Sequence, residues 1–239
     1  MKRFFKTAGV RQETEGFAVT LDGKTVRTPF GTAVVLVSRP LAEAIAEEWE
    51  SQEAEIQPHR MPLMRLAAIT LDHVAAARET VVAEVVKYVT TDLLCYRVAE
   101  PLELAERQLA VWQPLLDWVA GRFDAPLAVT TDIVALDQPA ASLAALEAAV
   151  SGMNNLRLTA LRESTAICGS LVLGLALLEA KIDAETAWQI SQLDETFQIE
   201  KWGRVPEAEA RRNDLRENLA AAERFLVLGN DSLAPLSGS

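Results

Sequence analysis

A chain of 239 residues, 50% of them hydrophobic, supplies core for one large domain or two modest ones and needs no disulfide or metal to fold. Its formal net charge of −11 excludes a sequence-independent grip on phosphate backbones, which draws on clustered Lys and Arg, so no nucleic-acid partner is expected. Along the chain, Phe17, Val19 and Leu21 alternate as in a strand, Asp22-Gly23 follows, and Val26, Thr28 and the run Ala33 to Val37 resume the pattern after Pro29-Phe30-Gly31. Asp-Gly between two such runs signals a tight hairpin, because a type I′ turn needs positive φ at both central residues. The spacing predicts an antiparallel meander. Ser38 then stands as an N-cap, Pro40 falls in the first turn, and Leu41, Ile45 and Trp49 recur every fourth residue of a helix to about Glu53.

Pro58 and Pro62 punctuate the chain, and beyond them the period changes from two to 3.6. The expected fold class is α+β: a β-rich domain over 1–58 with one helix, a mostly all-α domain over 59–229, and a disordered tail over 230–239. Helices are predicted from Leu63 to Tyr88, Leu102 to Arg122, Ser142 to Gly152, Arg157 to Ala180, Ala184 to Trp202 and Pro206 to Leu228. In the last of these Leu215, Leu219, Ala222 and Leu226 form a seam that Gly229 stops. A β-like stretch, Leu127 to Val134, interrupts the series. The most apolar segment, Leu171 to Leu178, is bracketed by Glu163 and Glu179 and falls short of the about 20 residues a bilayer requires, so it reads as a buried helix with no membrane insertion.

Motifs for catalysis are missing. Gly23-Lys24-Thr25 ends like a phosphate loop, but Ala18 stands where the first glycine belongs and the triplet sits in a hairpin turn. No two glycines flank a single residue, which removes the dinucleotide fingerprint. His59 and His73 lack a paired zinc spacing, and Cys95 and Cys168, far apart in apolar sequence, read as reduced core residues of an intracellular protein. Neither cofactor nor metal is expected. Asp194, Glu195 and Glu200 leave one enzymatic alternative, an acid and base pair or a magnesium site, against solvated helical charge.

On one continuous helix Ile190, Leu193 and Phe197 share a face, while Trp188, Glu195 and Trp202, spaced by sevens, line the opposite one with Gln198 beside them. An indole, a carboxylate and an amide in one stripe suit a protein contact, unless the stripe packs inside the bundle. Between Asp183 and Glu200 there are five acidic residues and no basic one, which suits a basic partner.

The blocks Leu21 to Pro29, Ala46 to Gln52, Met61 to Leu66, Thr91 to Arg97, Arg107-Gln108 with Trp112, Gly169-Ser170-Leu171 and Asp194 to Gly203 resemble, in order, the F-type ATP synthase assembly chaperones of mitochondria and related bacteria. The resemblance runs from Phe4 to about Leu226. Met64, Gln113 and Val205 stand where that family more often has threonine, aspartate and aspartate. It implies a β-rich domain joined to a helical one and a non-enzymatic chaperone that holds the free ATP synthase α subunit, covering surface that later meets the β subunit. Residues expected to contribute are Glu195, Gln198, Trp202, Trp188 and Trp49, although Trp49 also continues the core stripe of its helix. The implied location is the bacterial cytoplasm, or the mitochondrial matrix for a processed chain.

Overall fold

In the computed structural model, which describes residues 1–132, 134, 136–203 and 206–230, Asp22 and Gly23 take φ of 48° and 77° and close the expected hairpin. The turn joins β2 (Gly16–Leu21) to β3 (Lys24–Thr25), with Leu21 opposite Lys24. A further strand, β1 (Ala8–Glu13), which its polar sequence concealed, pairs antiparallel with β2 along its whole length, from Ala8 opposite Leu21 to Glu13 opposite Gly16. β4 (Val35–Leu36) pairs with the other half of the β2 edge that β3 uses, at Ala18 and Phe17. The result is a four-stranded antiparallel sheet. Ala18, Val19, Thr20 and Leu21 are all buried, so β2 is covered on both faces and its side-chain alternation does not divide core from solvent. Gly16 has φ 148°, and a Cβ there would lie 2.3 Å from the Leu36 carbonyl oxygen, which leaves only glycine at this crossing.

Helix α1 (Arg39–Glu50) is capped as expected: the Leu41 N–H donates to Ser38 Oγ at 3.3 Å. Its Leu41, Ala42 and Ile45 are fully buried. Its polar side has a structural task that sequence did not reveal. The two Glu48 carboxylate oxygens accept from the N–H groups of Leu63 and Met64, each at 2.8 Å, and so cap α2 (Pro62–Ala68) where no local residue does. A π-helical stretch, Ile69–Val74, follows, and its Asp72 accepts from the Thr28 hydroxyl at 2.8 Å. The helix predicted from Leu63 to Tyr88 is therefore divided, resuming as α3 (Arg78–Lys87).

Beyond α3 the chain is mostly helical: α4 (Leu102–Phe123), α5 (Ala140–Ser151), α6 (Asn155–Cys168), α7 (Leu171–Leu178), α8 (Ala184–Ser191), α9 (Leu193–Trp202) and α10 (Pro206–Gly229). This α+β architecture agrees with the expected class. The helix predicted from Arg157 to Ala180 is two. Gly169, at φ 64°, ends α6, and Ser170 Oγ accepts from Leu173 N–H to start α7. All eight residues of α7 are buried, as its composition predicts. Among the described residues no helix is long and apolar enough to cross a membrane. The β-like stretch makes one parallel bridge, Tyr96 to Thr130, and no strand among its described residues; Ile133 lies outside them.

The chain divides into two compact units, one of Met1–Arg78 with the chain from Ala221, the other of Glu79–Ala220. The change of period near residue 58 falls within the first. In that unit the last turns of α10 bury Ala222, Phe225 and Leu226. In the second, the core gathers Trp112, Leu146, Leu158, Leu161, Leu171 and Leu173, each under 2% exposed. The tail expected from residue 230 lies, from 231 onward, outside the described residues.

Candidate functional site

The distinctive segment from Ala184 to Trp202 breaks at Gln192, whose φ of −100° and ψ of 15° separate α8 from α9. This corrects the continuous stripe inferred from sevenfold spacing. Trp188, on α8, is 6% exposed and belongs to the core, whereas Trp202, at the end of α9, is 78% exposed. Glu195 and Gln198 lie on α9, Glu195 half-exposed and Gln198 exposed. Of the opposite stripe, Phe197 is buried, and Ile190 and Leu193 are half-buried. The Ile190 carbonyl accepts from Trp112 Nε1 at 3.2 Å, which fastens α8 to α4.

Each acidic residue weighed as a catalytic group already has its own partner. Asp194 Oδ1 accepts from the fully buried amide of Gln108 at 2.8 Å, and Gln108 in turn accepts from Val98 N–H at 2.9 Å. Glu195 pairs with Arg212 at 3.0 Å. Glu200 pairs with Arg107 at 2.8 Å, and Arg107 and Lys201 both reach Glu103, at 2.8 and 2.9 Å. The three carboxylates therefore diverge and share no centre. Among the described residues no three His, Cys, Asp or Glu side chains group as a metal site. Both thiols are buried, and burial pushes Cys95 and Cys168 each up to about 12, far from a reactive thiolate.

What this region presents is a surface. Arg107 and Lys201 each lie 5.2 Å from the Phe197 ring centroid, shielding it, and the exposed Trp202 indole follows one residue after Lys201. On the α8 side, Arg212 stacks 5.9 Å from Trp188 and Arg216 pairs with Glu185 at 2.7 Å. An open cleft of about 540 Å³ lies among Arg107, Trp188, Leu193, Thr196, Arg212 and Arg216. None of Asp194, Glu195 and Glu200 lines it. Sequence reasoning missed Arg212 and Arg216 of α10, because their partners Glu195 and Glu185 lie on other helices.

Two other segments of the resemblance are structural. Asp92 is fully buried and accepts from Leu94 N–H at 3.1 Å, Val172 N–H at 3.1 Å and the Ser170 hydroxyl at 2.7 Å. Burial pushes its carboxyl up to about 6 against these bonds, which favour the charged form. Gln113 accepts from Arg97 at 2.9 Å and donates to Asp117 at 2.7 Å, a local role for one of the departures from the resemblance; Val205 lies outside the described residues. Trp49, in the first unit, is half-buried and meets Phe5 edge-on at 5.7 Å.

The sequence matches the family described as ATP12 chaperone protein over residues 2–120. The fold is similar to the crystal structure of Atp12 from Paracoccus denitrificans, with TM-score 0.91 and 39% identity, covering 96% of this chain and 98% of that one. The chain belongs to the ATP12 chaperone family. A second crystal structure, of the Atu1473 protein from Agrobacterium tumefaciens, is similar at TM-score 0.91 and 34% identity, over 96% of this chain and 86% of that one. Protein atp12, mitochondrial, of Schizosaccharomyces pombe is 24% identical over 234 residues, 92% of this chain and 80% of its own length. The likeness to these two crystal structures thus spans both compact units, including the helical region beyond residue 120.

Proposed function

We propose that this chain is an assembly chaperone of the F-type ATP synthase catalytic sector that holds the free α subunit and shields its subunit interface until the β subunit arrives. Membership of the ATP12 chaperone family carries the reading. An unassembled subunit exposes an apolar interface, and a transient partner that covers it lowers the free concentration of the aggregating species. Such work needs a surface and neither nucleotide nor metal. The exposed end of α9 suits it: Trp202 and Gln198 offer an indole and an amide, and the Glu195–Arg212 and Glu200–Arg107 pairs can be exchanged for partner charges. Trp188 enters this proposal only as the packed support beneath Arg212. The reading keeps the chain in a bacterial cytoplasm, where its two free thiols stay reduced.

The test is co-expression of the tagged chain with the α subunit from the same genome. Soluble α should rise, co-purify with the tag and leave when β is added. Recovery of α equal to that with an unrelated tagged protein contradicts the proposal.

A further inference from the structure

The first unit holds a second surface of different character. An open groove of about 420 Å³ has Phe4, Phe5, Val26 and Trp49 as its apolar walls and Lys24 and Arg27 at its rim. Its volume lies in the range of side-chain and small-ligand pockets, roughly 300–1,000 Å³. Phe4 is 64% exposed although it stacks edge-on against Phe5, so the groove leaves a large aromatic face in water. Trp49 contributes a further irregularity: its Nε1 is buried and finds no acceptor among the described residues.

The charge around the groove runs against the rest of the molecule. Residues 1–30 carry six basic and three acidic side chains in a chain whose net charge is −11. Asp22, the one carboxylate lining the groove, is turned to the backbone and accepts from the N–H groups of Lys6 and Thr7, each at 3.0 Å. Arg3 is likewise committed, pairing with Glu50 at 3.0 Å. Lys24 and Arg27 form no ion pair among the described residues, and both are exposed. The rim is therefore cationic with its charge available, above an aromatic floor.

We propose that this groove is a peptide-docking site for an acidic segment of a partner protein, one that places an apolar side chain against Phe4, Phe5 and Trp49 and flanking carboxylates against Lys24 and Arg27. Charge complementarity selects the occupant: a basic or neutral apolar segment would fill the floor but leave both cations unpaired, and it would gain nothing from the local sign of the field. The site lies in a different unit from α9 and does not depend on the identity of the client proposed above.

The probe is a fluorescein-labelled peptide with a central Phe-Leu flanked on each side by Asp-Glu, followed by anisotropy on the full chain, with a control in which all four acids are lysine. The acidic peptide should bind, and the lysine control should bind at least tenfold more weakly. Lys24→Glu combined with Arg27→Glu should weaken the acidic peptide at least tenfold. Because Arg27 also donates to the Gly31 carbonyl at 2.7 Å, Lys24→Glu alone serves as the variant that leaves the turn intact, with an expected loss of about threefold or more. Absence of binding to the wild-type chain, equal binding of both peptides, or full binding by a folded Lys24→Glu variant would each overturn the proposal. So would a loss confined to Trp202→Ala, which would place the peptide on α9.

Discussion

Asp92 and Glu195 are both carboxylates beside a helix N-terminus, and they mark opposite uses of charge. Asp92 has no contact with solvent, and its two oxygens receive three hydrogen bonds that lock the α6–α7 junction to the segment before Tyr96. Glu195 keeps 44% of its side chain exposed and touches one arginine. A buried acid that orders several donors cannot be released without disrupting the junction, whereas an exposed ion pair contributes about 1 kcal/mol or less and can be traded for a partner. The family segment around Asp92 therefore maintains the fold, and the segment around Glu195 leaves its charge accessible to the proposed recognition.

The strongest way to break this contrast is to remove the buried acid. Asp92→Ala leaves two N–H groups and a hydroxyl without an acceptor in the interior and should destabilise the second unit by about 4 kcal/mol, read by urea unfolding. The pH dependence sharpens the same point. Burial raises this carboxyl from 3.8 to about 6, so the folded protein holds the proton more tightly than the unfolded chain. Stability from this group is then greatest below about pH 4 and falls as pH rises to about 6, by about 3 kcal/mol. Subtracting the unfolding free energies of Asp92→Asn at each pH isolates it; a flat difference between pH 4 and 7 contradicts the assignment.

Next in size is Gly174→Ala. A Cβ there would meet Thr165 Oγ1 at 2.5 Å and Leu161 Cδ1 at 3.0 Å, so these buried α6 side chains must repack or α7 must move away, at about 2 kcal/mol. The smallest change in stability belongs to the exposed face. Glu195→Gln should alter the unfolding free energy by about 1 kcal/mol, because the glutamine keeps an oxygen for the largely buried Arg212 while losing the charge, and it should reduce capture of the α subunit.

The same two regions show how far residues alone could be read. The Asp-Gly hairpin, the Ser38 cap and the buried α10 seam at Leu219, Ala222 and Leu226 were legible because each is a local rule with a local cause. The α6–α7 break was not read, since apolar residues continue at helical spacing across it; its signal was Gly169 followed by Ser170, a helix stop and a new cap in adjacent positions. Gln192 carries no such punctuation. The only hint of a new helix there was the acidic first turn, Asp194 and Glu195, and without it sevenfold spacing placed the buried Trp188 in line with the exposed Trp202. Contacts across long separations lie beyond any window. Asp92 meets Ser170 78 residues away, and Glu48 caps a helix 15 residues on through a side chain that looked like solvated charge.

The most direct test of the proposed recognition surface on α9 is capture of the α subunit by the Trp202→Ala chain, measured beside its melting temperature. Trp202 is 78% exposed, so folding should be unaffected, with a change under about 0.5 kcal/mol, while captured α should fall at least tenfold. Wild-type capture by a normally stable Trp202→Ala chain would contradict the assignment of recognition to α9.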